Sequence, residues 1–209
     1  TAYEIVSRDW SSDVCSSDLD QSRGLAANDA TPLLLQAAAM MRDNGDLSSA
    51  QAILDRIQTA GLSPASRAQL QLQRADLALA RNQPREALEL LQEGALPPLA
   101  VLANEQQQRA HGLRSTALAT TGATLDSALE LIALDALLPA SARAANHSNI
   151  WQKLTQLSPQ KLQDLTATTD SEALQGWYEL ALAAVGSSDM DRQLAAIQQW
   201  RTKRSSHPA

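Results

Sequence analysis

Three histidines, one cysteine and a few grouped carboxylates are the side chains here whose chemistry could go beyond packing. Catalysis or metal binding needs such groups at spacings that bring them to one place: two His a helical turn apart, a His with a carboxylate, or paired Cys. His111, His147 and His207 are scattered, and none stands at ligand spacing from another His, from Cys15 or from an acid. Asn146-His147-Ser148 suggests a polar site, but a solvated helix surface accounts for it. Glu86, Glu89 and Glu93 recur at helical spacing on one element, the pattern of a face turned to water. Ser63 and Ser158 stand directly before prolines, which marks them as helix caps and not as nucleophiles. No glycine-rich phosphate loop occurs. The expected chain is not an enzyme: it has no catalytic residue, metal site or cofactor, and no partner-binding residue can be named.

The elements that hold these side chains follow a repeat. A small residue in one helix is followed, after a turn, by a small residue in the next helix with a large aliphatic one four places on: Ala38/Ala50/Leu54, Ala75/Ala87/Leu91 and Ser115/Ala128/Ile132. Two helices that approach closely need small side chains where their axes cross and a bulky one beside them. The spacing from Ala50 to Ala87 to Ala128 is a few residues longer than the roughly 34 of a tetratricopeptide unit. Of 209 residues, 44% are hydrophobic and only 3% aromatic, with no Phe. Alanine and leucine must fill the interior, and both favour helix over sheet. The predicted fold is all-α, a tetratricopeptide-like superhelical array of about four to five helical hairpins.

Cap and turn residues place the helices. Thr31-Pro32 opens one that runs through Met41 to the turn at Asp43-Asn44-Gly45; Asp46 caps the next, ending near Ala60. Ser63-Pro64 starts a helix reaching Arg81, and Pro84 its partner, closing at Gly94. A third pair spans Pro98 to about Thr120 and Thr124 to Leu138. Beyond Pro139 come Ser141 to Gln156, a short helix from Ser158-Pro159 to about Thr166, and a last pair, Ser171 to Val185 and Asp189 to Lys203. This groups residues 30–138 as three hairpins and 139–209 as a tryptophan-containing set, within one helical domain over 20–209. Trp151, Trp177 and Trp200 are expected to pack between helix pairs. Ala39, Arg42, Asp76 and Thr116 fall on or beside the inward face of the first helices, where a groove could bind, although solvated positions explain them as well.

Residues 1–19 stand outside this pattern. Asp9 to Leu19 resembles an in-frame translation of a common sequencing adapter, so 1–19 is expected to be a non-native, unstructured segment. It holds Cys15, and setting it aside leaves a mildly acidic, cysteine-free remainder. With 23 acidic against 17 basic residues, the chain lacks the Lys/Arg clustering that nucleic-acid binding requires. No stretch is long and uncharged enough to cross a bilayer as a helix.

Asn149-Ile150-Trp151-Gln152 with Leu154 and Leu157, then Leu174-Gln175-Gly176-Trp177-Tyr178-Glu179-Leu180, Ile197, Trp200 and His207-Pro208-Ala209, carry a resemblance. They resemble the N-terminal helical domain of the LpoA family of penicillin-binding protein activators, also called LppC-type lipoproteins. The likeness is most specific from Asn149 to Ala209 and rests on helix-pair architecture from Thr31 to Leu138. It implies lipoproteins at the periplasmic side of the outer membrane of Gram-negative bacteria. These stimulate a bifunctional peptidoglycan synthase, a class A penicillin-binding protein, mainly through a C-terminal domain that resembles a periplasmic substrate-binding protein. That second domain and the lipidated cysteine, the only membrane attachment implied, are absent here. The expected role is that of a spacer, scaffold and protein-interaction module in cell-wall synthesis. Alternatives are a tetratricopeptide adaptor for extended peptides and the helical domain of a lytic transglycosylase; the latter needs a catalytic glutamate in a lysozyme-like domain, which nothing here supplies.

Overall fold

The computed structural model describes residues 27–207. Ten α-helices occur among them: α1 (Ala27–Asp43), α2 (Leu47–Asp55), α3 (Pro64–Ala80), α4 (Pro84–Leu91), α5 (Asn104–Thr120), α6 (Thr124–Asp135), α7 (Ala140–Leu154), α8 (Pro159–Thr168), α9 (Glu172–Val185) and α10 (Met190–Lys203). A 3-10 turn at Leu99–Val101 precedes α5. No β-strand forms among the described residues; one isolated bridge joins Glu93 to Leu96. The segment 1–19 lies outside the described residues. The chain divides into two compact units, Thr1–Ala117 and Leu118–Ala209, so that α5 spans the division and Pro139 lies inside the second unit.

Three turns repeat one hydrogen-bonding device. The N–H of Asp46 donates to the carbonyl of Met41 (2.9 Å), that of Gln83 to Ala78 (2.8 Å) and that of Ala123 to Leu118 (2.9 Å). Inside each, the N–H of Gly45, Asn82 and Gly122 donates back to Arg42, Leu79 and Ala119. This is the Schellman cap, which needs a left-handed residue just past the helix. Gly45 and Gly122 supply it at φ 83° and 84°, and Asn82 at φ 59°, asparagine being the side chain that best tolerates that region. Helix starts are equally local. Asp46, Ser63, Ser158 and Ser171 each accept a hydrogen bond from the backbone N–H three residues on, and Asp189 from those of Asp191 and Arg192.

In the first two pairs the small residues sit where close approach demands them. Within the first unit α1 packs on α2, and α3 on α4; Ala38 and Ala50 are 2% and 1% exposed, and Ala75, Ala87 and Leu91 are fully buried. Ser115 is buried in the first unit and Ala128 in the second, while Ile132 is partly buried. In the second unit α6 packs on α7, and α9 on both α8 and α10. Its core holds Ile150, Leu154, Leu162, Trp177 and Tyr178. Each such large side chain, taken from water, contributes about 1.5–3 kcal/mol before its ordering cost. Trp177 and Trp200 are buried, as expected; Trp151 is half-buried.

Boundaries differ most from expectation in three places. Helix α1 starts at Ala27, with Pro32 inside it, and not at Thr31-Pro32. Ala30, Thr31, Leu34 and Leu35 form a buried stripe that continues to the N-terminal side of the proline, and Pro32 is exposed, so the bond it removes lies near the helix end. Helix α2 ends at Asp55, short of Ala60, and Ile57 and Leu62 enter the same core through the turns that follow. Helix α5 starts at Asn104, not Pro98: Pro98 has a non-helical ψ of 130°, only a 3-10 turn follows it, and Leu102 buries from an extended conformation of its own.

Candidate functional site

Alternate helices, α1, α3 and α5, deliver polar side chains to one point. Arg42, from the last turn of α1, donates from Nη1 to Asp76 Oδ2 at 2.7 Å and to Gln73 Oε1 at 3.2 Å. Arg109, from α5, donates from Nη2 to the same carboxylate oxygen. Asp43 holds the other edge of the Arg42 guanidinium, from Nε at 3.0 Å and Nη2 at 2.8 Å. The Arg42, Asp76 and Arg109 side chains are 19%, 26% and 32% exposed, so water reaches the cluster without dissolving it.

Arg42 and Asp76 are thus neither isolated nor simply solvated. Arg109 and Gln73 complete their cluster and were not singled out from the sequence. A signal for Arg109 existed: it lies 33 residues beyond Asp76, which lies 34 beyond Arg42, close to one tetratricopeptide period each time. Equivalent positions in successive repeats carry alternating charge. The Thr116 hydroxyl donates to the Gly112 carbonyl within α5; Ala39 is half-buried on α1.

A second polar cluster lies in the second unit. His147 does not sit on a solvated helix surface. Its Nε2 is 2.9 Å from Asp135 Oδ1 but off the line of a ring N–H bond, so the two are in contact without a directed hydrogen bond. Asn146, buried, donates to that same Oδ1 at 3.0 Å and to the Leu131 carbonyl at 2.9 Å, joining α7 to α6. The His147 ring meets the Trp177 ring edge-on, with centroids 5.5 Å apart. His207 packs edge-on against both Trp177 (5.5 Å) and Trp200 (5.4 Å), and its Nε2 is 2.8 Å from the Ala173 carbonyl. Gly176 makes this possible: a Cβ there would stand 2.3 Å from the His207 ring. The Trp200 indole N–H donates to the Gly176 carbonyl at 2.9 Å.

Glu179 closes the same pair of helices. It accepts from Arg204 Nε (3.0 Å) and Lys203 Nζ (3.0 Å), while Arg204 also reaches Gln175 and Glu172. The hydrogen bond from Arg204 holds the Glu179 carboxyl below its ordinary range, against the opposing effect of burial, and Glu179 in turn raises the Arg204 guanidinium. Burial pushes the Tyr178 hydroxyl upward. Glu86, Glu89 and Glu93 are exposed, as their spacing predicts. Among the described residues no three His, Cys, Asp or Glu side chains gather as metal ligands would. In these clusters the polar groups join one helix to another.

Comparison with known proteins gives a consistent answer. The profile of a family described as "LppC putative lipoprotein" matches residues 9–209. The chain is 32% identical over 191 residues to the penicillin-binding protein activator LpoA of Vibrio cholerae, covering 91% of this chain and 31% of that protein. Against the activator LpoA of Photobacterium profundum the identity is 29%, over 91% of this chain and 30% of the relative. The chain therefore spans about a third of the length of the curated relatives it matches. Among solved structures, the amino-terminal domain of E. coli LpoA superposes with a TM-score of 0.71 at 24% identity, covering 93% of this chain and 85% of that one. Haemophilus influenzae LpoA gives 0.69 at 18%, covering 93% and 36%. At these identities the structural likeness establishes the fold.

Proposed function

The chain belongs to the LppC lipoprotein family, and from that premise we propose that it is the helical N-terminal part of a penicillin-binding protein activator. Its partner is a bifunctional peptidoglycan synthase, and its place is the periplasmic side of the outer membrane, held there by a lipid anchor. The part described acts without catalysis, as scaffold, spacer and protein-interaction module. The observation that carries this reading is the match of nearly the whole chain to proteins named as activators. The use of its polar groups supports it: Asp76, Asp135 and Glu179 each bond or pair across helices, which stiffens a scaffold and leaves none of the three as a free acid or base.

A stacked helical repeat transmits position because each pair is fixed by its neighbours. Contact with the synthase is assigned mainly to the remainder of the activator. The test compares three preparations on a purified synthase turning lipid-linked precursor into crosslinked glycan: the full-length activator, the activator lacking this part, and this chain alone. Stimulation by the first two and none by the third is expected. No stimulation by the full-length protein would overturn the activator reading, and stimulation by this chain alone would overturn the spacer role.

A further inference from the structure

Between α4 and α5 the chain runs through an anchored loop in place of a tight turn. Leu96 and Leu102 are 4% and 6% exposed and belong to the core of the first unit, so they pin the loop near both ends. Between them, Pro97 and Pro98 fix the backbone, and the 3-10 turn is closed by the Val101 N–H donating to the Pro98 carbonyl at 3.0 Å. The outward side of this rim is apolar. Pro98 and Ala100 are exposed, and Val101 is 70% exposed, unusual for a large aliphatic side chain.

The rim walls a groove of about 870 Å³, within the range of ligand-sized pockets. Its charged lining residues are Arg67, Arg114 and Glu93, an excess of one positive charge. Arg114 is held in place, its Nε donating to the Leu91 carbonyl at 3.1 Å and its Nη2 to the same oxygen, which leaves further N–H donors of the five. Arg67 is exposed; its backbone N–H donates to the Ser63 carbonyl, while among the described residues its guanidinium has no hydrogen-bond or ion-pair partner. An apolar wall beside two guanidiniums suits an apolar chain that carries a carboxylate, because guanidinium pairs with carboxylate through two parallel bonds. A rim already fixed by prolines loses little freedom on binding.

We propose that this groove docks an extended protein segment in which aliphatic and acidic side chains alternate, the aliphatic ones against Pro97, Pro98 and Val101 and a carboxylate at Arg67 and Arg114. The site is separate from the Arg42–Asp76–Arg109 cluster and does not depend on synthase activation. The probe is a fluorescein-labelled hexapeptide of alternating leucine and glutamate, read by fluorescence anisotropy on the 209-residue chain, with a leucine–lysine hexapeptide as counterpart. Saturable binding of the first is expected, weakening as salt rises. Arg67→Glu should weaken it about tenfold or more, the worth of one charge-assisted bond, and shift preference toward the lysine peptide. Val101→Asp should weaken the leucine–glutamate peptide too. Both positions are exposed, and unchanged circular dichroism shows that the fold is retained. Equal binding of the two hexapeptides, indifference to Arg67→Glu, or binding of laurate in place of either peptide would overturn the proposal.

Discussion

Replacing Gly176 with alanine should change sign depending on one residue far along the chain. In a helix interior, alanine is favoured over glycine by about 0.5–1 kcal/mol, because glycine loses more backbone freedom on folding. At this position the new methyl would meet the His207 ring at 2.3 Å and expel it. Lost with the ring are two edge contacts with indoles, at about 0.5–1.5 kcal/mol each, and the bond to the Ala173 carbonyl, at about 0.5–1.5 kcal/mol. His207 is only half-buried, so the lower part of each range applies, about 1.5–2.5 kcal/mol in all. Gly176→Ala should therefore destabilise the chain by about 0.5–2 kcal/mol net. With His207→Ala already in place, nothing remains to be expelled, and the same change should stabilise by about 0.5–1 kcal/mol. Urea unfolding of the four proteins, followed by far-ultraviolet circular dichroism and by tryptophan fluorescence, measures the cycle. Trp151, Trp177 and Trp200, three of the four tryptophans, lie in the second unit, so fluorescence mainly follows the unit that changes. Stabilisation by Gly176→Ala in the chain that keeps His207 would refute the reasoning.

Two further outcomes follow from the geometry. Ala87→Arg forces a long charged side chain into a fully buried contact between α3 and α4 and should cost more than about 1–3 kcal/mol, seen as a lower urea midpoint by circular dichroism; an unchanged midpoint would reject the hairpin register. Glu179→Gln tests the clasp on α10. Because the folded carboxyl sits below its ordinary 4.5, its contribution is present above that pH and is lost as pH falls through the folded value. The variant should be less stable than the parent at pH about 7, and the difference should shrink as the solution is acidified; a difference in melting temperature that does not shrink in acid would contradict the sign.

Helices, turns and crossing alanines were legible in the sequence because each depends on few residues close together. A Schellman cap needs one left-handed residue, and Gly45 and Gly122 announce it; Asp46, Ser63 and Ser158 name their own helix starts. The boundaries that moved were set by distant partners. Ile57 and Leu62 leave the helical pattern to reach a core built from other helices, and Pro32 is carried inside α1 by a stripe that extends past it. His147 illustrates the same limit. Its neighbours in sequence suggest water, whereas Asp135 and Trp177, one helix back and two helices on, determine what it meets. Arg109 lay within reach of a different reading, since a charge recurring at the repeat period is a local clue expressed over a long distance.

The same distinction separates the first hairpins from the last in how tightly each constrains its own sequence. At a crossing point such as Ala87 the requirement is smallness alone, and alanine, serine or glycine can meet it, so the first hairpins constrain their sequence loosely. Around Gly176 the requirements interlock. The glycine admits His207, His207 packs between two indoles, Trp200 must also reach the Gly176 carbonyl, and Arg204, one turn beyond Trp200, grips Glu179 on the helix that carries the glycine. Changing one member leaves the others without partners, so substitution has to be concerted or absent. A region built that way is recognisable by residue identity, whereas an alanine-lined stack is recognisable only by its period. On this argument the coupling measured by the Gly176–His207 cycle should greatly exceed that of Ala75 with Ala87 replaced by serine, where each change is tolerated separately.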